Sequence, residues 1–155
     1  MKIVDEKIPE KEYKNILEKM PICCVDLVIV REGKVLLIKR KGDSFDGKWF
    51  IIGGRIYKNE KLEDAVKRKA FEETGLNVKI LKNLGIFEAF EDSSAFGNSI
   101  KSGTHSISGG FLVEPIEEVE VKLDETSTDF KWVDRIDENL AEYPKRLIKA
   151  SGVFD

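Results

Sequence analysis

The alternation of apolar and polar residues divides the chain into β-rich runs around one strongly helical stretch. Residues 22–30, ICCVDLVIV, and 34–40, KVLLIKR, are rich in β-branched and aliphatic residues, and REGK between them is a hairpin signal. Residues 48–54, KWFIIGG, read as a short strand running into paired glycines, and 78–90, 105–115 and 128–133 read as further strands. A loop is expected at 41–47, and a polar, Gly- and Ser-rich connection at 91–104. Helix signals predict a first helix over 9–20, with Pro9 near its start and Pro21 ending it. The strongest helix is expected over 60–74, opened by Glu60 and closed by Gly75. A last helix is expected over 137–150, with Pro144 marking a break or restart. Strands on either side of a long helix imply an α+β class with a mixed sheet between helical layers.

On a helical wheel of ~100° per residue, Leu62, Ala65, Val66 and Ala70 form one apolar face. Lys69 and Glu73 fall within ~20° of Leu62, with Glu72 at the edge of that face. Polar groups there point towards the protein body, where an unpaired ion costs several kcal/mol. Lys69–Glu73 and Arg68–Glu72 pairs along the helix would contribute only a few tenths of a kcal/mol. The helix dipole also disfavours acids at this end. A hard divalent cation, Mg²⁺ or Mn²⁺, against Glu72 and Glu73 would account for both the burial and the mismatch. Upstream, Gly53 and Gly54 would let the backbone approach a ligand closely.

Composition narrows the classes. The 155 residues suit one domain, 1–155, with residues 1–20 as an N-terminal helical extension. A net charge of −3 and the lack of a basic or aromatic stripe argue against nucleic acid as a partner. No signal peptide and no apolar run of spanning length is present, so a cytoplasmic protein without a membrane partner is expected. Adjacent Cys23 and Cys24 would point to opposite faces of a strand and are expected to be reduced core thiols.

Residues 54 to 76 resemble the Nudix box: Gly54, Glu60, Arg68, Glu72, Glu73, Gly75 and Leu76 stand at its spacing, with Lys69 in place of the acid after Arg68. The resemblance implies a Nudix-type α/β/α sandwich across the chain and hydrolysis of a nucleoside diphosphate derivative with Mg²⁺, Mn²⁺ being possible. By the same likeness, Glu72, Glu73 and the carbonyl of Gly53 would be metal ligands. Arg68 would pair with Glu60 and orient the acids, so that Arg68 and Glu73 carry catalysis. The change at Lys69 implies either fewer bound metals or Lys69 itself reaching a phosphate, and the first is expected, with one metal anchored by Glu73.

The run from residue 21 to residue 65, including Gly53-Gly54-Arg55, is similar to the GDP-mannose mannosyl hydrolase branch of that family. That likeness implies a nucleotide sugar such as GDP-mannose as substrate, inversion by water attack at the anomeric carbon, and a homodimer packed through the N-terminal helix. Arg40 and Arg55 would contact the diphosphate, and Asp26 the nucleotide or sugar. The branch's Gln-His, which supplies a metal ligand and the base, is replaced here by Thr126 and Ser127. His105 resembles a strand-start histidine that is not the base. Asp124, Glu125, Asp129, Glu88 and Glu91 are therefore the candidate bases. Two other readings stay open: diphosphate cleavage of ADP-ribose or a nucleoside triphosphate, and a nucleotide-binding module weakened in catalysis.

Overall fold

The computed structural model describes residues 1–42, 47–92 and 100–155. In chain order its elements are α1 (Glu10–Lys19), β1 (Ile22–Arg31), β2 (Lys34–Arg40), β3 (Trp49–Phe50), β4 (Ile52–Arg55), α2 (Leu62–Thr74), β5 (Val78–Glu91), β6 (Thr104–Pro115), β7 (Ser127–Val133) and α3 (Glu142–Ser151). The strand order is β3-β2-β1-β6-β5, with β4 also on β1 and β7 also on β2. Only the β1–β6 pairing among these is parallel, so the sheet is mixed as expected. The REGK hairpin forms a two-residue turn with positive φ at Glu32 (52°) and Gly33 (74°), matching the twist of its strands.

Side-chain alternation along β6 separates the layers. A Cβ at Gly109 would lie 3.7 Å from Leu62 of α2, whereas one at Gly110 would lie 3.3 Å from Leu147 of α3. The two helices therefore cover opposite faces. Between them lie Leu27, Ile29, Leu36, Ile38, Ile52, Val66, Val113 and Leu147, all fully buried. The outcome is the α/β/α arrangement of an α+β fold. α1 packs on β6 and is tied down by the Glu18 carboxylate, which accepts from the backbone N–H of Ser102 at 3.1 Å.

Several expectations change in detail. KWFIIGG splits into β3 and β4 because Trp49–Phe50 pairs with β2 while Ile52–Arg55 pairs with β1. The long helix begins at Leu62 with Lys61 as its cap, so Glu60 stands before it instead of opening it. Leu62, at the helix's first exposed turn, remains 42 % exposed, and the buried face runs through Ala65, Val66, Ala70, Glu73 and Thr74. Pro144 falls in the first turn of α3, where the missing N–H would be unsatisfied anyway, so it starts the helix and breaks nothing. Cys24 is half-buried, but Cys23 is exposed and is not a core thiol; both are unbonded. The expected loop at 41–47 and connection at 91–104 lie partly outside the described residues.

One guanidinium joins the loop after β4 to α2. Arg68 donates from Nε to Glu60 Oε1 at 2.6 Å and from Nη2 to Glu60 Oε2 at 2.9 Å and the Arg55 carbonyl at 3.1 Å. Its Nη1 donates to Glu72 Oε2 at 3.2 Å, and the group lies 3.9 Å from the Tyr57 ring centroid. Such a fork-to-fork pair sets geometry as well as charge. Burial alone would raise the Glu60 pKa, but the Arg68 hydrogen bonds and the Tyr57 N–H hold it below the ordinary carboxylate value. A depressed carboxylate contributes stability above its unfolded pKa and loses it as pH falls through the folded one. Urea titrations should therefore show Glu60→Gln less stable by about 1–3 kcal/mol at pH 7, with the difference shrinking as pH drops below the usual carboxylate range. A pH-independent difference would contradict this clamp.

Candidate functional site

Two chemical neighbourhoods meet at Gly53 and Gly54, which are extended residues of β4 paired with β1 instead of the tight turn expected from the sequence. The first is the C-terminal end of α2, which closes at Gly75 in the left-handed conformation (φ 71°), its N–H bonded to the Phe71 carbonyl at 2.8 Å. There the Glu73 side chain is 2 % exposed and Glu72 lies at the surface. Glu73 Oε2 accepts no hydrogen bond and faces Lys69 Nζ at 3.4 Å; the same ammonium is 3.8 Å from Glu72 Oε2. Arg40, from the end of β2, brings Nη1 to 3.5 Å from Glu73 Oε1. The Thr126 hydroxyl lies 3.1 Å from that oxygen and 2.6 Å from Asp124 Oδ1, so its single proton serves one acid at a time. Burial raises the Glu73 pKa, against the opposing pull of Lys69, Arg40 and Thr126.

The second neighbourhood is a cleft of about 190 Å³ lined by residues that include Asp26, Arg40, Gly53, Gly54, Glu91, Ser108 and Tyr143. β1 places Asp26 at the sheet centre, in register with Gly53 of β4 and Gly110 of β6. The glycine at 53 is a steric requirement, since a Cβ there would come within 1.9 Å of Asp26 Oδ1. Tyr143 reaches across from α3 and donates its hydroxyl to Asp26 Oδ2 at 2.6 Å. Its ring stacks on Phe50 at 6.2 Å between centroids. Burial raises the Asp26 pKa, opposed by hydrogen bonds from Tyr143 and Ser108 and by the Arg40 charge. Burial also pushes the Cys24 thiol in the cleft wall up to about 12, so it stays protonated.

The residues expected from sequence separate between these regions. Asp26, Arg40 and Gly53 line the cleft, and Arg40 links it to Glu73. Glu72, Glu73 and Arg68 stand together on α2. Arg55 lies to one side, 5.7 Å from the Tyr13 ring centroid and 5.5 Å from that of Tyr57, and donates to the Ile56 carbonyl at 3.3 Å. Among the candidate bases, Glu91 lines the cleft and Asp124 approaches Glu73 through Thr126; Glu88, Glu125 and Asp129 are exposed. His105 stacks on Phe90 at 4.3 Å and lies outside the cleft lining. Ser127 leaves its hydroxyl without a hydrogen bond, and Thr126 alone of that pair reaches an acid of α2. Sequence reading missed Tyr143 and Ser108. The apolar face of α3 carried a signal for the first, which the emphasis on Pro144 obscured.

Comparison with known proteins identifies the family and the fold. The NUDIX domain family matches residues 22–150. The low-salt glycan biosynthesis protein Agl8 of Haloferax volcanii is 37% identical over 144 residues, covering 93% of this chain and 90% of that protein. An ADP-ribose pyrophosphatase of Methanocaldococcus jannaschii is 39% identical over 79 residues, 51% of this chain and 46% of that one. Among solved structures, a MutT NUDIX hydrolase from Burkholderia pseudomallei superposes with a TM-score of 0.72 at 24% identity, covering 85% of this chain and 98% of that chain. The NUDIX domain of Shewanella oneidensis NrtR, crystallised with ADP ribose, gives 0.66 at 24% identity over 94% of this chain and 97% of that chain. The acidic end of α2, clamped by Arg68 beside strand β4 and the cleft that holds buried Asp26, is the candidate site of a chain that belongs to the Nudix hydrolase family.

Proposed function

We propose that the chain hydrolyses a nucleoside diphosphate derivative, with a nucleotide sugar such as GDP-mannose as the substrate class and the glycosyl bond as the bond cleaved. The observation that carries this reading is the placing of Arg40 between buried Asp26 in the cleft and buried Glu73 on α2. A guanidinium there would take the diphosphate, while Asp26 and Ser108, backed by Tyr143, would hydrogen-bond sugar or base hydroxyls. The similarity to a glycan biosynthesis protein over most of both chains supports a sugar nucleotide. Glu91, on the cleft wall, suits activation of water against the sugar carbon.

A second reading, cleavage of the diphosphate of ADP-ribose or a nucleoside triphosphate, is favoured by one feature. Asp124 stands next to Glu73, where the phosphates would lie, so it suits activation of water against phosphorus. The ADP-ribose pyrophosphatase relative and the NrtR–ADP ribose complex support that alternative. In both readings Glu73 acts as a positioning residue for Arg40 and Lys69, and Arg68 holds Glu72 and the loop after β4.

Nudix hydrolases generally use divalent metals such as Mg²⁺. The ligand set expected from the box (Gly53, Glu72 and Glu73) does not fit a resident ion, because the Lys69 ammonium already stands against both carboxylates. Among the described residues no helix is long and apolar enough to cross a membrane. We propose a cytoplasmic location.

Turnover of GDP-mannose in ¹⁸O-water should place label on the sugar; label on phosphate would select the second reading, and no turnover of GDP-mannose or ADP-ribose would overturn both. Glu73→Gln should lower kcat by about a hundredfold or more in the same assay. We also propose a homodimer, supported by the exposed apolar side chains of β5, among them Ile86 (79 % exposed) and Phe90. Sedimentation velocity should give about twice the mass of the 17.6 kDa chain, and a monomer at all concentrations would refute it.

A further inference from the structure

The carboxylates of Glu60, just before α2, and of Glu72 and Glu73 at its end each face a cation. Glu60 is held by Arg68, Glu72 by Arg68 and Lys69, and Glu73 by Lys69 and Arg40. With Asp124, which shares the Thr126 hydroxyl with Glu73, the cluster holds a fourth carboxylate against the three cations, so a divalent ion approaching the free protein meets only a small excess of negative charge. It also meets an obstacle. Lys69 Nζ lies 3.4 Å from Glu73 Oε2 and 3.8 Å from Glu72 Oε2, the place that an ion shared by these two acids would take.

The lysine stem lies directly over Gly54: a Cβ on residue 54 would come 2.7 Å from Lys69 Cε and 3.0 Å from its Nζ. Gly54 also lines the cleft, as does Arg40. The Lys69 side chain is 18 % exposed and is not itself among the residues lining the cleft; it borders the cleft where it rests against Gly54. Glu73 Oε2 accepts no hydrogen bond, and Lys69 is the cation paired with it.

We propose that the Lys69 ammonium, lodged between the Glu72 and Glu73 carboxylates against Gly54, is a built-in cation in the place of a resident divalent metal, and that the cleft binds the diphosphate of its ligand without metal. The diphosphate half rests on the nucleotide reading of the cleft; the cation half does not. Lys69, against Gly54, and Arg40, in the cleft wall, together carry two positive charges, the charge that one divalent ion would bring. The site's ligand class is therefore a nucleoside diphosphate taken up directly, with an ammonium and a guanidinium on its phosphate oxygens.

Two titrations test this on the full chain. Free Mn²⁺ alone, followed by electron paramagnetic resonance, should not bind the wild type below millimolar concentration, whereas Lys69→Glu should gain a site tighter by about tenfold or more. Wild-type and Lys69→Glu proteins binding Mn²⁺ equally well would overturn the cation half. In calorimetry, GDP should bind the wild type with affinities within about threefold in EDTA and in Mg²⁺, while Lys69→Gln should bind about tenfold more weakly in EDTA. A tenfold or greater loss for the wild type in EDTA, or an unchanged affinity in Lys69→Gln, would overturn the diphosphate half. Absence of GDP and ADP-ribose binding in both buffers would overturn the nucleotide reading and that half with it, and the Mn²⁺ titration would still decide the role of Lys69.

Discussion

Burying the Glu73 carboxylate at the end of α2 sets the terms for everything around it. An ion removed from water loses several kcal/mol of hydration, and a helix C-terminus adds its own partial negative charge. The fold answers from three directions: Lys69 from the preceding turn of α2, Arg40 from the end of β2, and Thr126 from the residue leading into β7. Lys69 and Arg40 both stand beside the glycines of β4, so in the proposed function the groups that stabilise the acid would also be those presented to an anionic ligand.

A second buried acid gives the cleft its other wall. Asp26 sits on the central strand with Gly53 and Gly110 as its register neighbours, and Tyr143 supplies a hydroxyl from α3. Arg40 lines the cleft with Asp26 and pairs with Glu73, and so couples the two halves of the site. Arg68 serves a separate purpose. It donates to Glu60, Glu72 and the Arg55 carbonyl, which makes it a clamp between α2 and the loop before it.

Local patterns carried much of this into the sequence. The glycine pair, the acids at the wrong helix end and the lone Asp26 in an apolar strand each announced a constraint that chemistry could name. The wheel also placed Lys69 and Glu73 together on the inward face. What it could not supply was distance across the fold: that Arg40 and Thr126 would converge on Glu73, that Tyr143 would reach Asp26, or that Arg55 would turn aside between Tyr13 and Tyr57. Those depend on pairings between residues far apart in the chain. Lys69 shows the difference most clearly. As a letter it was a missing ligand, whereas in space its ammonium fills the gap between two carboxylates.

The most direct test is crystallographic: crystals of the wild-type chain soaked in Mn²⁺ without nucleotide, with anomalous differences collected at the manganese edge. The account predicts no peak between Glu72 and Glu73, and electron density for the Lys69 ammonium in that position. A manganese peak bridging the two carboxylates, with Lys69 swung away towards solvent, would contradict it.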